Sequence, residues 1–333
     1  MPREDIQGDP PFRIEEAFTW VDFERDSALR SKAFVLVEGG LDRRVYQAIL
    51  DDVNRCVIIA HYEMGRQEIV DAFPLDEVYG PRTLGIIDRD FDYAFPERTY
   101  AEGLVVTPTH DVETLVLSTP AFENLLEEYV DPDVRAAFES SCGVPIIETI
   151  LRAARPIGLL RLHNAQRFDP DKRGMNFKAR GTLRVPYEDY VGTKDFSLSL
   201  DGLIDWLFYN SDHPSFKDET ETKALKATIL AAVAELDSQY SDDWLVCQGH
   251  DLVGLIALGL TGAFGSRSGD LKTIIEDLQI SMTSPAVLKA EYFHGCPLCD
   301  RIREWEDAHP PFRALKDDPR IAETIPSTIE ESI

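Results

Sequence analysis

Two short apolar runs, each ending abruptly at a carboxylate, constrain this chain more than any other feature. Phe34, Val35, Leu36 and Val37 run into Glu38-Gly39-Gly40-Leu41-Asp42, and Leu84, Gly85, Ile86 and Ile87 run into Asp88-Arg89-Asp90-Phe91-Asp92. Neither run alternates polar with apolar residues, which is the pattern of strands buried on both faces of a parallel sheet. Between and beyond them the periodicity predicts a helix to about residue 51, a strand over 56–60, a helix over 65–73 and a further strand over 103–107. The order is βαβαβ. The expected fold class is α/β, a parallel-sheet core with helices on both faces and right-handed crossovers.

In such sheets the sites form in the loops beyond the carboxyl ends of the strands, so Glu38, Asp88, Asp90 and Asp92 are expected along one rim. Carboxylates held together repel one another and raise each other's pKa unless a divalent cation neutralises them. Mg²⁺ or Mn²⁺ suits such a set, being bound through one or two carboxylates, water and substrate phosphate, and it serves phosphodiester chemistry. Gly39 and Gly40 lack Cβ atoms and so admit a phosphate to the backbone where the next helix begins. The plainer reading makes Glu38 a helix cap and the aspartates a solvated turn. Two acids are open in the same way: Asp42 either complements the helix dipole or supports a metal, and Glu113 is either a further ligand or an ordinary first-turn acid. Residues 244–248 read as another strand, followed by Gly249-His250-Asp251. There His250 is a candidate for proton transfer or phosphate binding, against simple helix capping by Asp251.

Organisation along the chain follows. Residues 1–32 form a proline-bearing arm and a helix over 14–30, 33–118 the first part of the core, and 119–242 a largely helical insertion. Residues 243–306 complete the core with its last helices, and 307–333 form an acidic tail expected to be disordered. The net charge of −26 runs against a polyanionic partner, but the segment 151–185 carries nine basic residues against two acidic ones. That segment is at +7, which leaves −33 elsewhere. Arg173, Lys178 and Arg180 within it are the candidate nucleic-acid contacts, interleaved with aromatics that either stack bases or half-bury a loop. Cys296, Cys299 and nearby His294 make half of a structural Zn²⁺ site, with no second paired motif to complete it. No apolar run reaches the eighteen or so residues of a membrane span, the first residues do not read as a signal peptide, and the five cysteines are an odd number. The expected location is the cytoplasm, with no membrane partner.

A strand followed by Glu38-Gly39 and Asp42, then a strand followed by Asp88 and Asp90, resembles the toprim catalytic domain of topoisomerases, bacterial primases and OLD-type nucleases. With His110-Asp111-Val112-Glu113 and Gly249-His250-Asp251-Leu252 added, the pattern is similar to the toprim-like nuclease family of bacterial anti-phage defence loci, which includes the nuclease subunit of the PARIS system. The resemblance covers roughly residues 33–117 and 243–264. It implies a toprim-like core, a Mg²⁺-dependent endonuclease, Glu38 as general acid/base, Asp88 and Asp90 as metal ligands, and Asp92, Glu113 and Asp42 as helpers. It also implies a nucleic-acid substrate, with transfer RNA favoured over DNA, an ABC-type ATPase partner that restrains the effector, and a homodimer when active. The alternative within the same family is a non-catalytic subunit that keeps the fold for docking to the ATPase. An EF-hand reading fails, because from Asp88 the sixth and twelfth positions are Tyr93 and Thr99 instead of glycine and glutamate. A haloacid-dehalogenase-type phosphatase leaves Glu38 without a role.

Overall fold

A computed structural model describes residues 29–60, 65–75, 80–166, 185–209, 219–265 and 267–317. They fall into two compact units. A sheet unit holds the described residues up to Asp88, with 98–108 and those from Ala290 on, and a helical unit holds 89–97 and 109–289.

The sheet unit contains β1 (Ala33–Val37), β2 (Cys56–Ile59), β3 (Thr83–Ile87) and β4 (Leu104–Val106) in the order β2-β1-β3-β4, all parallel. Every residue of β1 and β3 is buried, which is why neither run alternates in the sequence. Helices α1 (Gly40–Tyr46) and α2 (Arg66–Ala72) follow the first two strands. Ile69 of α2 packs with Phe34, Leu36, Phe73, Ile87 and Val106 as a contiguous core. The α/β class is thus the observed one, with helices around a parallel sheet.

The helical unit runs through α3 (Val112–Leu117), α4 (Ala121–Tyr129), α5 (Pro132–Cys142), α6 (Ile146–Gln166), α7 (Tyr187–Tyr190), α8 (Leu200–Tyr209) and α9 (Glu219–Gln239). It continues through α10 (Asp243–Val246), α11 (Gly249–Thr261) and α12 (Leu271–Ser281). At its centre stands α11, buried from Asp251 to Leu260 and packed against α3, α6 and α12. A helix apolar on all sides belongs inside a bundle. Among the described residues no helix is long and apolar enough to cross a membrane.

Three expectations change among the described residues. Residues 244–248 are not a strand: Asp242 accepts the Trp244 N–H at 2.9 Å and caps the short α10. The apolar stretch is too short to outweigh that aspartate cap, and its carbonyls are taken by a loop, with Trp244 O accepting the His110 N–H. The segment expected to complete the sheet core from residue 243 lies in the helical unit up to Lys289, and the chain rejoins the sheet unit from Ala290. There α13 (Pro297–Ala308) packs beside β4.

The tail expected from residue 307 is ordered as far as it is described. Asp51 N–H donates to Ala314 O at 2.8 Å and Lys316 N–H to Ile49 O at 2.9 Å, so residues 314–316 pair with the chain beyond α1. Buried Glu306 fixes the approach, accepting the N–H groups of Ala314 and Leu315. The helix expected over 14–30, up to residue 28, and the final residues from 318 lie outside the described residues.

Candidate functional site

In the sheet unit the chain leaves β1 to form β2 on one side and β3 on the other. The carboxyl ends of β1 and β3 therefore flank the topological switch point, where open α/β sheets place their ligands. Glu38 follows one of these strands and Asp88 the other. The Asp88 backbone N–H donates to Glu38 Oε1 at 2.8 Å, tying the two strand ends together through a carboxylate. Glu38 does not cap α1, whose N-cap is Gly39 with no side-chain cap bond. Asp42, in the first turn of α1, is buried, with Oδ2 3.3 Å from where a Gly39 Cβ would stand. A Cβ on Gly40 would meet no atom within 4 Å, so the space beside that residue is open.

One turn beyond Asp42, Tyr46 is buried, and its hydroxyl has no hydrogen-bond partner. Burial pushes this phenol well above its ordinary pKa, and the charges of Asp42, Asp88 and Glu38 push it further. A buried hydroxyl without a partner is an arrangement that a bound water or ligand oxygen would satisfy. The donor set is all oxygen and fits a hard divalent cation. Among the described residues no three His, Cys, Asp or Glu side chains gather into a metal-holding group. A cation here would be held by Glu38 and Asp88 with water, the mode that Mg²⁺ commonly adopts. The sequence missed Tyr46, although its i+4 spacing from Asp42 on one helix face was available.

The other acidic candidates belong to the helical unit. Asp90 has φ 48°, a left-handed conformation uncommon outside glycine, and is held there by its N–H donating to His110 O at 2.7 Å. Asp92 opens a single 3₁₀ turn, Asp92–Ala94. Glu113 lies in the first turn of α3 with Oε1 3.5 Å from Gln279 Nε2, at the outer limit of a hydrogen bond. Asp111 does the structural capping: Oδ1 accepts the Thr114 N–H at 2.8 Å and Oδ2 the Gly249 N–H at 2.7 Å. A Cβ at Gly249 would stand 2.3 Å from Glu113 Cβ and 2.4 Å from Asp111 Oδ1, so the starts of α3 and α11 touch only because residue 249 is glycine.

Asp251 is fully buried and does not cap α11. It is clamped by Arg161, whose Nε and Nη2 donate at 2.8 and 2.7 Å, and by the Tyr187 hydroxyl at 2.6 Å. Burial, the largest single influence, would raise its pKa, but the Arg161 and His250 charges and the hydrogen bonds from Arg161 and Tyr187 together hold the carboxyl below its ordinary value. His250 Nε2 lies 3.5 Å from Asp251 Oδ1. Burial lowers the basicity of this imidazole, while Asp251 pulls the other way. The capping alternative for Asp251 is thereby replaced by a buried ion pair, and His250 keeps a half-exposed position beside it.

Of the basic segment, Arg152, Arg155 and Arg161 are described, and each is engaged by acids of its own unit. Arg152 pairs with Glu148, Arg155 with Asp237 and Asp243 and with the Tyr240 carbonyl, and Arg161 with Asp251. The +7 of the sequence therefore overstates the charge this segment presents. Arg173, Lys178 and Arg180 lie outside the described residues. Cys296 is the N-cap of α13 and Cys299 is buried within it; burial pushes the Cys299 thiol up to about 12 and raises Cys296 as well. With His294 they do not form a three-ligand group among the described residues. No protein-family model matches the chain, and neither does any curated protein.

Proposed function

We propose that the protein is a metal-dependent nuclease of the toprim type that cleaves phosphodiester bonds in nucleic acid, RNA before DNA. The observation that carries this reading is the Glu38 carboxylate fixed against the Asp88 backbone N–H at the switch point of a parallel sheet. Glu38 and Asp88 would hold the ion, which when bound supplies charge neutralisation at a phosphate oxygen. Glu38 would take a proton from the attacking hydroxyl or water and return it to the leaving oxygen. Tyr46 supplies a neutral hydroxyl whose proton is held by burial first and by the carboxylate charges second, suited to orient a water or a phosphate oxygen. The open space beside Gly40 gives a phosphate room to approach the backbone.

A partner belongs to the same reading. With −33 outside the basic segment, and the described arginines of that segment already paired, long-range attraction of a polyanion is weak. A cationic surface on an ATPase partner would supply it. A location in the cytoplasm accords with this role. The test is cleavage of RNA and DNA by the purified protein, alone and with the product of the neighbouring gene, in Mg²⁺ and in Mn²⁺. Glu38→Gln and Asp88→Asn should each lower the rate by on the order of a hundredfold or more. Folded variants that cut as fast as wild type would remove the assignment.

A further inference from the structure

In the helical unit, His110 is immobilised to a degree that no role so far explains. Its backbone N–H donates to Trp244 O at 2.9 Å and its carbonyl accepts the Asp90 N–H at 2.7 Å. Its ring Nδ1 stands 2.8 Å from Leu245 O, and its ring packs edge-on against Phe91 with centroids 4.7 Å apart. A carbonyl only accepts, so Nδ1 carries a proton, and in the neutral imidazole Nε2 is left with its lone pair. His110 is 1 % exposed, and Nε2 has no hydrogen-bond partner. The nearest carboxylate to Nε2 is that of the left-handed Asp90, whose Oδ1 is 3.9 Å away, too far for a hydrogen bond.

A histidine whose Nδ1–H is fixed on a backbone carbonyl while Nε2 is bare and near a carboxylate has the arrangement of a metal ligand with its outer support in place. Two ligands each about 2.1 Å from one ion stand roughly 3.0 to 3.4 Å apart, depending on coordination geometry. The observed 3.9 Å exceeds that by less than about 1 Å, between a His110 ring that is fixed and an Asp90 side chain that is 45 % exposed. The strained backbone of Asp90 acquires a purpose, since the N–H bond to His110 O holds this carboxylate beside the imidazole.

We propose that His110 Nε2 and Asp90 together form a mixed imidazole–carboxylate site for a divalent transition-metal ion. An imidazole nitrogen favours such ions over Mg²⁺, which prefers an all-oxygen shell. The remaining coordination positions are filled by water. The site lies wholly within the helical unit; the toprim resemblance already implies Asp90 as a ligand, and the imidazole of His110 is what the proposal adds.

The experiment uses Mn²⁺ as the probe on the full chain. Free Mn²⁺ is titrated by electron paramagnetic resonance, and the bound ion is examined for electron spin-echo modulation in protein carrying ¹⁴N- or ¹⁵N-histidine. The expected result is bound Mn²⁺ coupled to a histidine nitrogen, displaced by Mg²⁺ only at an excess on the order of tenfold or more. His110→Gln should abolish the nitrogen coupling and weaken Mn²⁺ binding by about tenfold or more, the scale on which even outer-shell losses act. Bound Mn²⁺ without histidine coupling in the wild type overturns the inference while leaving an oxygen-ligated Glu38 and Asp88 site standing. Coupling that survives in His110→Gln, or no Mn²⁺ bound at millimolar concentration, overturns it as well. The isotope comparison needs no variant, so a failure of His110→Gln to fold does not shield the proposal.

Discussion

Removing the Arg161 charge should cost the helical unit more stability than any other single change at its charged residues. Asp251 is fully buried and Arg161 nearly so, joined by two hydrogen bonds of 2.8 and 2.7 Å, with the Tyr187 hydroxyl as the third donor. Arg161→Met keeps much of the side-chain volume and strands a carboxylate in the interior. Breaking a buried pair in this way costs about 3–5 kcal/mol. At about 2–4 °C per kcal/mol for a unit of this size, the melting temperature should fall by on the order of 10 °C. Replacing the whole cluster tests the cause. The triple variant Arg161→Met, Asp251→Leu, Tyr187→Phe leaves no orphaned charge or hydroxyl and should recover most of the loss, because well-packed apolar substitutes for buried ion pairs are often neutral or better. The assay is urea unfolding followed by circular dichroism at pH 7. A loss below about 1 kcal/mol in Arg161→Met, or a triple variant as unstable as the single one, would show that the pair is not the buried keystone its geometry implies.

Two further outcomes follow from the same unit. Gly249→Ala places a Cβ 2.3 Å from Glu113 Cβ and 2.4 Å from Asp111 Oδ1, so α3 and α11 must part; a destabilisation of about 1–3 kcal/mol is expected, read by the same unfolding assay. For pH, both relevant groups have depressed folded pKa values, so the unfolded chain binds more protons and stability falls as pH falls. His250 contributes above its ordinary 6.5 and loses that contribution as pH drops through the lower folded value, whereas Asp251 contributes above its ordinary 3.8 and loses it only in stronger acid. Melting temperature against pH should show two declines, and His250→Gln should remove the upper one alone; a profile unchanged by that substitution would contradict the assignment.

The sheet was legible because burial on both faces writes itself into sequence as unbroken apolar runs, and β1 and β3 are buried at every residue. The carboxylates after them were legible for a related reason, since a charged residue directly after such a run must sit at the strand end. What periodicity does not carry is pairing between distant residues. Nothing in the local sequence joins Arg161 to Asp251, ninety positions on, or His110 Nδ1 to Leu245 O, 135 positions on. The arginines of the basic segment were therefore counted as charge facing outward, although Arg155 and Arg161 are neutralised by acids supplied from α9, α10 and α11. Residues 244–248 were misread because Leu245 and Val246 resemble a strand only until the Asp242 cap is weighed.

A chain with sixty acidic residues needs a physical criterion for which of them bear on chemistry. Complete satisfaction is one such criterion. Asp111 spends both oxygens on the N–H groups of Thr114 and Gly249, Asp251 is enclosed by Arg161 and Tyr187, and Glu306 receives Ala314, Leu315 and Arg313. A carboxylate so enclosed by donors has been committed to holding the fold and offers little to an incoming ligand. Glu38 ties two strand ends, accepting the Asp88 N–H at 2.8 Å, in the same unit as the buried Tyr46 hydroxyl that has no hydrogen-bond partner. Asp90 differs again, held in a left-handed conformation near a bare imidazole nitrogen. Strain and unsatisfied polarity both raise the energy of a fold, and they persist where something outside the chain relieves them. By that argument the Tyr46 hydroxyl and His110 Nε2, each buried without a hydrogen-bond partner, are the groups that a ligand at the two proposed sites would relieve.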